Sequence, residues 1–270
     1  MHSRALFGSY TLRSALARSR ALIWHPGNRP QQPVGYHLPK IRRMSSALFP
    51  MPVYDDGAPF DEFGEEVARR FDPRYSPMHC HVPESQLVVY NPSKEVSQLQ
   101  VKHPRTGALE IDRLTVVVSI DGACRSNGTP SARAAWGVYF GPQSPHNASG
   151  LVKPDLPQTN SRAEIEALSQ ALHIIQEVIS QDLSLHHIRI RSDSDYLVKA
   201  MSEWIEGWIK KGGRSAQRRR VAHYPVLKEI HERLNEMAYG DDGGMDFKFW
   251  HVPREKNKGA DMLANRALDG

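Results

Sequence analysis

The chain holds only two cysteines, Cys80 and Cys124, too few for a disulfide framework and not spaced as zinc ligands. That usage fits a compartment in which thiols stay reduced. No apolar run reaches the roughly eighteen residues a membrane span needs, so no membrane partner is expected. Acidic residues are missing ahead of Asp55, where eight Arg and Lys residues give a charge of +8. With a whole-chain net charge of +5, the remainder carries −3. A body of slightly negative average charge can hold nucleic acid only through a local basic patch.

Residues 1–46 are rich in Arg and contain Ser, with Leu6, Tyr10, Leu12, Leu16, Leu22 and Ile23 scattered among them. This is the composition of a mitochondrial transit peptide, and the apolar core of a secretory signal is absent. A disordered basic leader has the same composition. Met44 and Met51 are internal starts that would remove it, so a mitochondrial product and a nuclear or cytosolic one are both expected. Residues 47–113 are rich in Pro, Ser and charge. They are expected to form a linker or extension with little regular structure, with a short helix over 61–70 and a short strand over 86–90.

From Leu114 the rhythm changes, and residues 114–270 are expected to form one folded domain. The stretch LTVVVSIDGACRSN opens with β-branched residues alternating between two faces, the pattern of a central strand buried on both sides. Strands are expected over 114–120, 134–140, 149–153, 187–192 and 246–252. Ile165, Leu168, Leu172, Ile175 and Ile179 recur at helical spacing over 162–180. Leu197, Met201, Trp204, Ile205 and Trp208 do so over 195–209, and Leu227, Ile230 and Leu234 over 224–237. A last helix over 257–268 has Asn257 at its N-cap. Three strands in a meander followed by alternating elements predict an α/β fold with a five-stranded mixed sheet flanked by helices.

Four acids lie at the ends of these elements. Asp121 ends the first strand and Asp193 the fourth, while Glu164 and Asp261 lie near helix starts. Functional groups of open α/β sheets gather at such places. Converging carboxylates repel unless some are protonated or a cation lies among them. Oxygen donors select hard ions such as Mg²⁺ or Mn²⁺. Two such ions, roughly 3.5–4 Å apart, would clamp both oxygens of an in-line phosphoryl displacement. Each acid also has an ordinary reading: Asp121-Gly122 as a turn, Glu164 as a helix-dipole partner, Asp193 as an N-cap, Asp261 as a solvated helix residue.

The segments IDGACRSNG, TNSRAEIEAL, RIRSDSDYLV, WIEGWIKKGG and NKGADMLANRAL follow one another in the order and spacing of a type 1 ribonuclease H. The resemblance covers about residues 114–268, and it implies a ribonuclease H-like fold. It also implies that Asp121, Glu164, Asp193 and Asp261 are metal-binding catalytic residues. The implied reaction is Mg²⁺-dependent endonucleolytic hydrolysis of the RNA strand of an RNA–DNA hybrid, leaving 5′-phosphate and 3′-hydroxyl ends. The rival reading is a non-catalytic or differently specific nucleic-acid-binding module that kept the fold.

The resemblance places Asn127, Thr159, Asn160 and Ser161 along the hybrid, where polar groups meet 2′-hydroxyls and phosphates. Lys210, Lys211, Arg214, Arg218, Arg219 and Arg220 lie in an acid-free stretch that looks like the family's basic protrusion. Trp204 and Trp208, one helical turn apart, lead into it and serve either the core or the substrate. The working unit is expected to be a monomer. The chain departs from the pattern where many members carry a Gly-His loop before the last acid. Here HVPREKNKGAD is shorter, and His251, Arg254 or Lys256 fills that space. Gly213 stands where an aromatic residue is common, and Ala134-Ala135 where a glycine pair is.

Overall fold

A computed structural model describes residues 69–239 and 244–270, all within one compact unit spanning Pro52–Gly270. The basic leader, and the expected short helix up to residue 68, lie outside the described residues.

The organising strand is β4 (Thr115–Arg125), whose residues from Thr115 to Gly122 are all buried. On one side β5 (Arg133–Tyr139) pairs with it antiparallel, and β6 (Ala148–Leu151) pairs with β5. On the other side β7 (His187–Ser192) runs parallel to β4, and β8 (Asp246–His251) parallel to β7. These are the five strands predicted from alternation. Helix α1 (Asn160–Glu177) lies on the face that carries Val116, Val118 and Ile120. Ile165, Leu168, Leu172 and Ile175 are fully buried there, together with Leu227 and Leu234 of α4 (Tyr224–Ala238). Helix α5 (Lys258–Asp269) covers the other face of β4 and β5.

Two glycines make this three-layer packing possible. A Cβ on Gly122 would stand 2.2 Å from the backbone nitrogen of Glu164, so only glycine lets α1 press on β4 there. A Cβ on Gly137 would meet the Ala260 carbonyl oxygen at 2.4 Å, and Gly137 pairs with Asp121 across the ladder. The two helices thus approach opposite faces of β4 beside Asp121.

The structure differs from the sequence reading in four places. First, β4 does not end at Asp121 but continues to Arg125, and the chain turns only at Ser126 and Gly128, both with positive φ (52° and 82°). Asp121-Gly122 is therefore paired strand rather than turn. Second, the helix expected over 195–209 is three pieces: α2 (Asp195–Lys199), a π-helical turn (Ala200–Trp204) and α3 (Ile205–Lys210). The wider turn rotates the helix phase. Trp204 is left 38% exposed while Trp208 is 9% exposed. Third, Asn257 sits at the N-cap of α5 but makes no capping bond. Its amide instead donates to the Ile120 carbonyl (2.9 Å) and to Asp193 Oδ1 (3.0 Å).

Fourth, residues 69–113 hold regular structure. Strands β1 (Val88–Asn91), β2 (Val96–Lys102) and β3 (Leu109–Ile111) form an antiparallel set, and β2 joins the main sheet at Ser97, opposite Val117. Ahead of them, Arg69 to Phe71 lies along the outer edge of β8: the Phe71 N–H donates to the Phe249 carbonyl (2.9 Å), and the Phe249 N–H to the Arg69 carbonyl (2.8 Å). Phe71, Val82, Leu87 and Leu99 bury themselves against Val117, Trp250 and Val252 as a second core. The extension is thus a layer of the described fold. Among the described residues, no helix is long and apolar enough to cross a membrane.

Candidate functional site

Around Asp121, inside β4, the backbone is fixed by pairing with β5 on one side and by helices on both faces. Asp121 is 7% exposed, and its Oδ1 accepts from the Gly122 N–H (2.8 Å). Glu164 arrives on the first turns of α1, brought against β4 by the missing side chain of Gly122. Thr159 is the N-cap of that helix, its hydroxyl accepting from the Arg162 N–H (3.2 Å). Asp193 follows the last residue of β7. Asp261 is in the first turn of α5. Strand pairing and helix packing thus bring together acids that are up to 140 residues apart in sequence.

The four line one cleft of about 260 Å³, with Asn160, Ser194, Arg254 and Asn265. Burial, then the charges of Asp193, Asp261 and Glu164, push the Asp121 carboxyl up to about 8. Burial also raises Glu164, as does Asp193, while the Ser194 hydroxyl works in the opposite direction. The acids therefore feel one another's charge. Each is also held by a protein donor. Ser194 Oγ donates to Glu164 Oε2 (2.5 Å) and the Asn160 amide to Glu164 Oε1 (2.9 Å). Asn257 holds Asp193 (3.0 Å), and Arg254 Nη2 donates to Asp261 Oδ1 (2.8 Å).

These contacts decide how the site relates to a cation. Among the described residues, no group of three or more acid, His or Cys side chains stands close enough to hold an ion as they are placed. The donor set still fits a hard divalent cation: all four acids are oxygen donors in one cleft, and their mutual repulsion is what an ion relieves. Arg254 supplies the cation that neighbours Asp261 in this arrangement, and its hydrogen bond to Asp261, then the negative charges of Asp261, Asp121 and Asp193, raise its pKa.

A second cleft, of about 580 Å³, meets the first at Asn160, which lines both. Asn127, Thr159 and Ser161 line it with Trp208, Arg219 and Arg220, so seven of the expected substrate residues share one surface. Trp204, Lys210, Lys211, Arg214 and Arg218 lie outside this lining. Arg214 and Arg220 pair across a short bridge, and Arg214 Nη1 donates to the Arg218 carbonyl (3.1 Å), so the arm between α3 and α4 is folded back on itself. Its five Lys and Arg side chains, and Lys210 at the end of α3, are exposed. Tyr196 stacks on Trp208, with centroids 6.5 Å apart, and Trp204 packs beside Trp208 at 5.7 Å.

Of the three residues expected at the Gly-His position, Arg254 faces the carboxylates. His251 is exposed at the end of β8 and lines a different cleft with Asp72, Arg74 and His79. Sequence reasoning missed Ser194 and Tyr196. Ser194 bore a signal, since it lies between two acids just ahead of a helix, the position of an N-cap. Its hydroxyl does cap α2 by accepting from the Leu197 N–H (3.3 Å).

The family model described as RNase H matches residues 113–269. Ribonuclease H1 of Mus musculus is 36% identical over 154 residues, which is 56% of this chain and 49% of that protein. Ribonuclease H of Paracidovorax citrulli is 33% identical over 156 residues, 57% of this chain and 94% of that protein. The chain thus spans about half the length of the mammalian relatives it matches and nearly all of the bacterial one. Among solved structures, LC11-RNase H1 in complex with RNA/DNA hybrid is 27% identical, with a TM-score of 0.40, over 57% of this chain and 96% of that one.

Proposed function

This chain belongs to the RNase H family, and from that premise we propose that it is a metal-dependent endonuclease that hydrolyses the RNA strand of RNA–DNA hybrids. The observation that carries the reading is the shared wall at Asn160, which lines both a cleft of four carboxylates and a cleft of polar side chains and arm arginines. Asp121, Glu164, Asp193 and Asp261 would hold Mg²⁺ or Mn²⁺, two ions in all. When bound, such ions supply a nucleophilic water at neutral pH and offset the charge of the displaced oxygen.

The remaining work falls to the chain. Asp121, locked in a paired and buried strand, offers its carboxylate from a fixed point. Ser194 and Asn160 orient Glu164 from two sides. Arg254 is exposed and tied to the site through Asp261, which places a guanidinium at the rim where a severed phosphate would leave. Asn127, Thr159, Asn160 and Ser161 provide the neutral donors and acceptors that read a 2′-hydroxyl, the group that tells RNA from DNA. The arm, carrying with Lys210 six positive charges on a body that is otherwise net negative, grips phosphates without regard to sequence.

The deciding experiment compares cleavage of RNA–DNA, RNA–RNA and DNA–DNA duplexes with Mg²⁺ and with EDTA. Only the hybrid should be cut, only with metal, leaving 5′-phosphate ends. Asp121→Asn should abolish cleavage while hybrid binding stays measurable. Cleavage by that variant at the wild-type rate would overturn the assignment, and metal-independent binding without cleavage by the native chain would favour a non-catalytic module.

A further inference from the structure

The extension meets the helical arm through two consecutive arginines. Backbone pairing along β8 holds this segment, and its two guanidinium groups reach the two helices between which the basic arm is strung. Arg69 reaches α4, where its Nη1 hydrogen-bonds His231 Nδ1 (3.0 Å) and its Nη2 donates to Asn235 Oδ1 (2.5 Å). Arg70 pairs with Glu203 inside the π-helical turn. Glu203 directly precedes Trp204, and that turn sets the phase of Trp204 and Trp208, the aromatic pair at the root of the arm.

Neither arginine lines the carboxylate cleft or the basic cleft. Any effect on those sites has to travel through the helices they hold. Asn235 stands eleven residues beyond the start of α4, so Arg69 grips that helix about 16 Å from the arm, at 1.5 Å of rise per residue. Arg70 grips the other helix near the arm's root. A rigid helix clamped at one end and freed at the other acts as a lever: about 5° of tilt over that length moves the arm by roughly 1.4 Å, enough to spoil a set of phosphate contacts. A π turn is a rare register inside an α-helix and is frequent at functional sites. The Arg70–Glu203 pair supplies a contact from outside the helix to the middle of that turn.

We propose that Arg70, acting through Glu203, is a positioning residue that sets the angle of the aromatic and basic arm on the duplex, a role that rests on the nucleic-acid reading above. The extension is thereby part of the substrate-binding apparatus without touching substrate. The test uses the full chain with Arg70→Ala, Glu203→Gln and the charge-swapped double variant R70E/E203R. Hybrid affinity is read by fluorescence anisotropy in EDTA, kcat and KM with Mg²⁺, and stability by urea unfolding.

Arg70→Ala and Glu203→Gln should each raise Kd and KM about fivefold, with kcat within about twofold of wild type, and the swap should restore most of the loss. The dependence of log K on log salt should keep its slope, because no phosphate contact is removed; a direct contact would cost about one unit of slope. A flatter slope, or loss of kcat in step with the urea midpoint and no rescue by the swap, overturns the positioning role. Equal affinity of Arg70→Ala and a wild type that binds and cuts hybrid overturns it too. If the wild type itself neither binds nor cuts hybrid, the proposed function fails instead, so the two failures are told apart.

Discussion

Asp121→Asn should make the metal-free protein more stable at neutral and alkaline pH, although it removes the residue assigned the central chemical role. The native side chain is 7% exposed and its carboxyl is pushed up to about 8, against 3.8 for a free aspartate. The sign follows from linkage. The folded state holds the proton more tightly than the unfolded state, so Asp121 favours folding fully below about pH 4 and loses that contribution as pH rises through about 8. About four units at roughly 1.36 kcal/mol each set a ceiling near 5–6 kcal/mol above pH 8. Rotation of neighbouring acids and entry of water reduce this to about 2–4 kcal/mol, because the four groups titrate as a set. Asn is neutral and close in shape, and its oxygen keeps the bond from the Gly122 N–H. Urea unfolding in EDTA from pH 4 to pH 9 should therefore show wild type and variant converging in acid, with the variant ahead by a widening margin toward pH 8. Saturating Mg²⁺ should close the margin by stabilising wild type: free metal at a hundred times its Kd contributes about 2.7 kcal/mol. A variant no more stable than wild type at pH 9 in EDTA would refute the reasoning, and so would a margin that shrinks with rising pH.

Other perturbations test the packing that builds the site. Gly122→Ala places a Cβ 2.2 Å from the Glu164 nitrogen, so α1 must move; we expect a loss of about 3 kcal/mol or more in urea unfolding, and cleavage lost with it. Phe71→Ala empties a position that is 2% exposed between the extension and the sheet, and should cost about 3–4 kcal/mol within a single cooperative transition. Two separate transitions, or no change in midpoint, would show that the extension is not part of the same folding unit. Ser194→Ala removes the cap of α2 and the hydroxyl that orients Glu164, at a cost of about 1 kcal/mol. It should also lower kcat more than it changes KM, since its partner is an acid of the cleft; a pure KM effect would count against that arrangement.

Much of the domain was legible because its physics is local and periodic. Alternation in β4 and three-four spacing in α1 report directly which residues are buried. The extension hid because its burial is partly polar. Gln98, at the centre of β2, is fully buried, yet its amide donates to the Thr115 (2.9 Å) and Arg113 (3.2 Å) carbonyls, and its oxygen accepts from the Asn91 amide (2.7 Å). A strand whose inward positions include a satisfied glutamine shows no apolar stripe, and its partner chain lies elsewhere in the sequence. Asp121-Gly122 misled for a related reason. Glycine after aspartate signals a turn when the chain is free to choose, but here α1 excludes any side chain at that place, and pairing with β5 keeps the residues extended. The four acids stood out as strand-end and helix-start positions, and they do line one cleft, although Asp121 lies inside β4 rather than at its end. Their donors did not stand out: Asn257 reaches Asp193 across 64 residues, a contact that no spacing rule encodes.

The same strand carries both the costliest feature of the molecule and one that offsets it. Asp121 and Val117 lie four residues apart on one face of β4, and the face alternates with period two, so they point to the same side. Toward one end of the strand that side is covered by α5 and holds crowded negative charge; toward the other it packs against Phe71, Leu99 and Trp250. A domain without the second layer would expose Val117 and Trp250 there, together with the backbone edge of Phe249 now paired with the extension. Burial of apolar surface at about 25 cal/mol per Å² makes even 150 Å² of such cover worth roughly 4 kcal/mol, the same order as the repulsion at the acids. Stability and chemistry are thus separated along one strand rather than between two domains. Asp121 can remain among the other acids because the strand that bears it is anchored a few residues away, by a part of the chain that lines neither cleft.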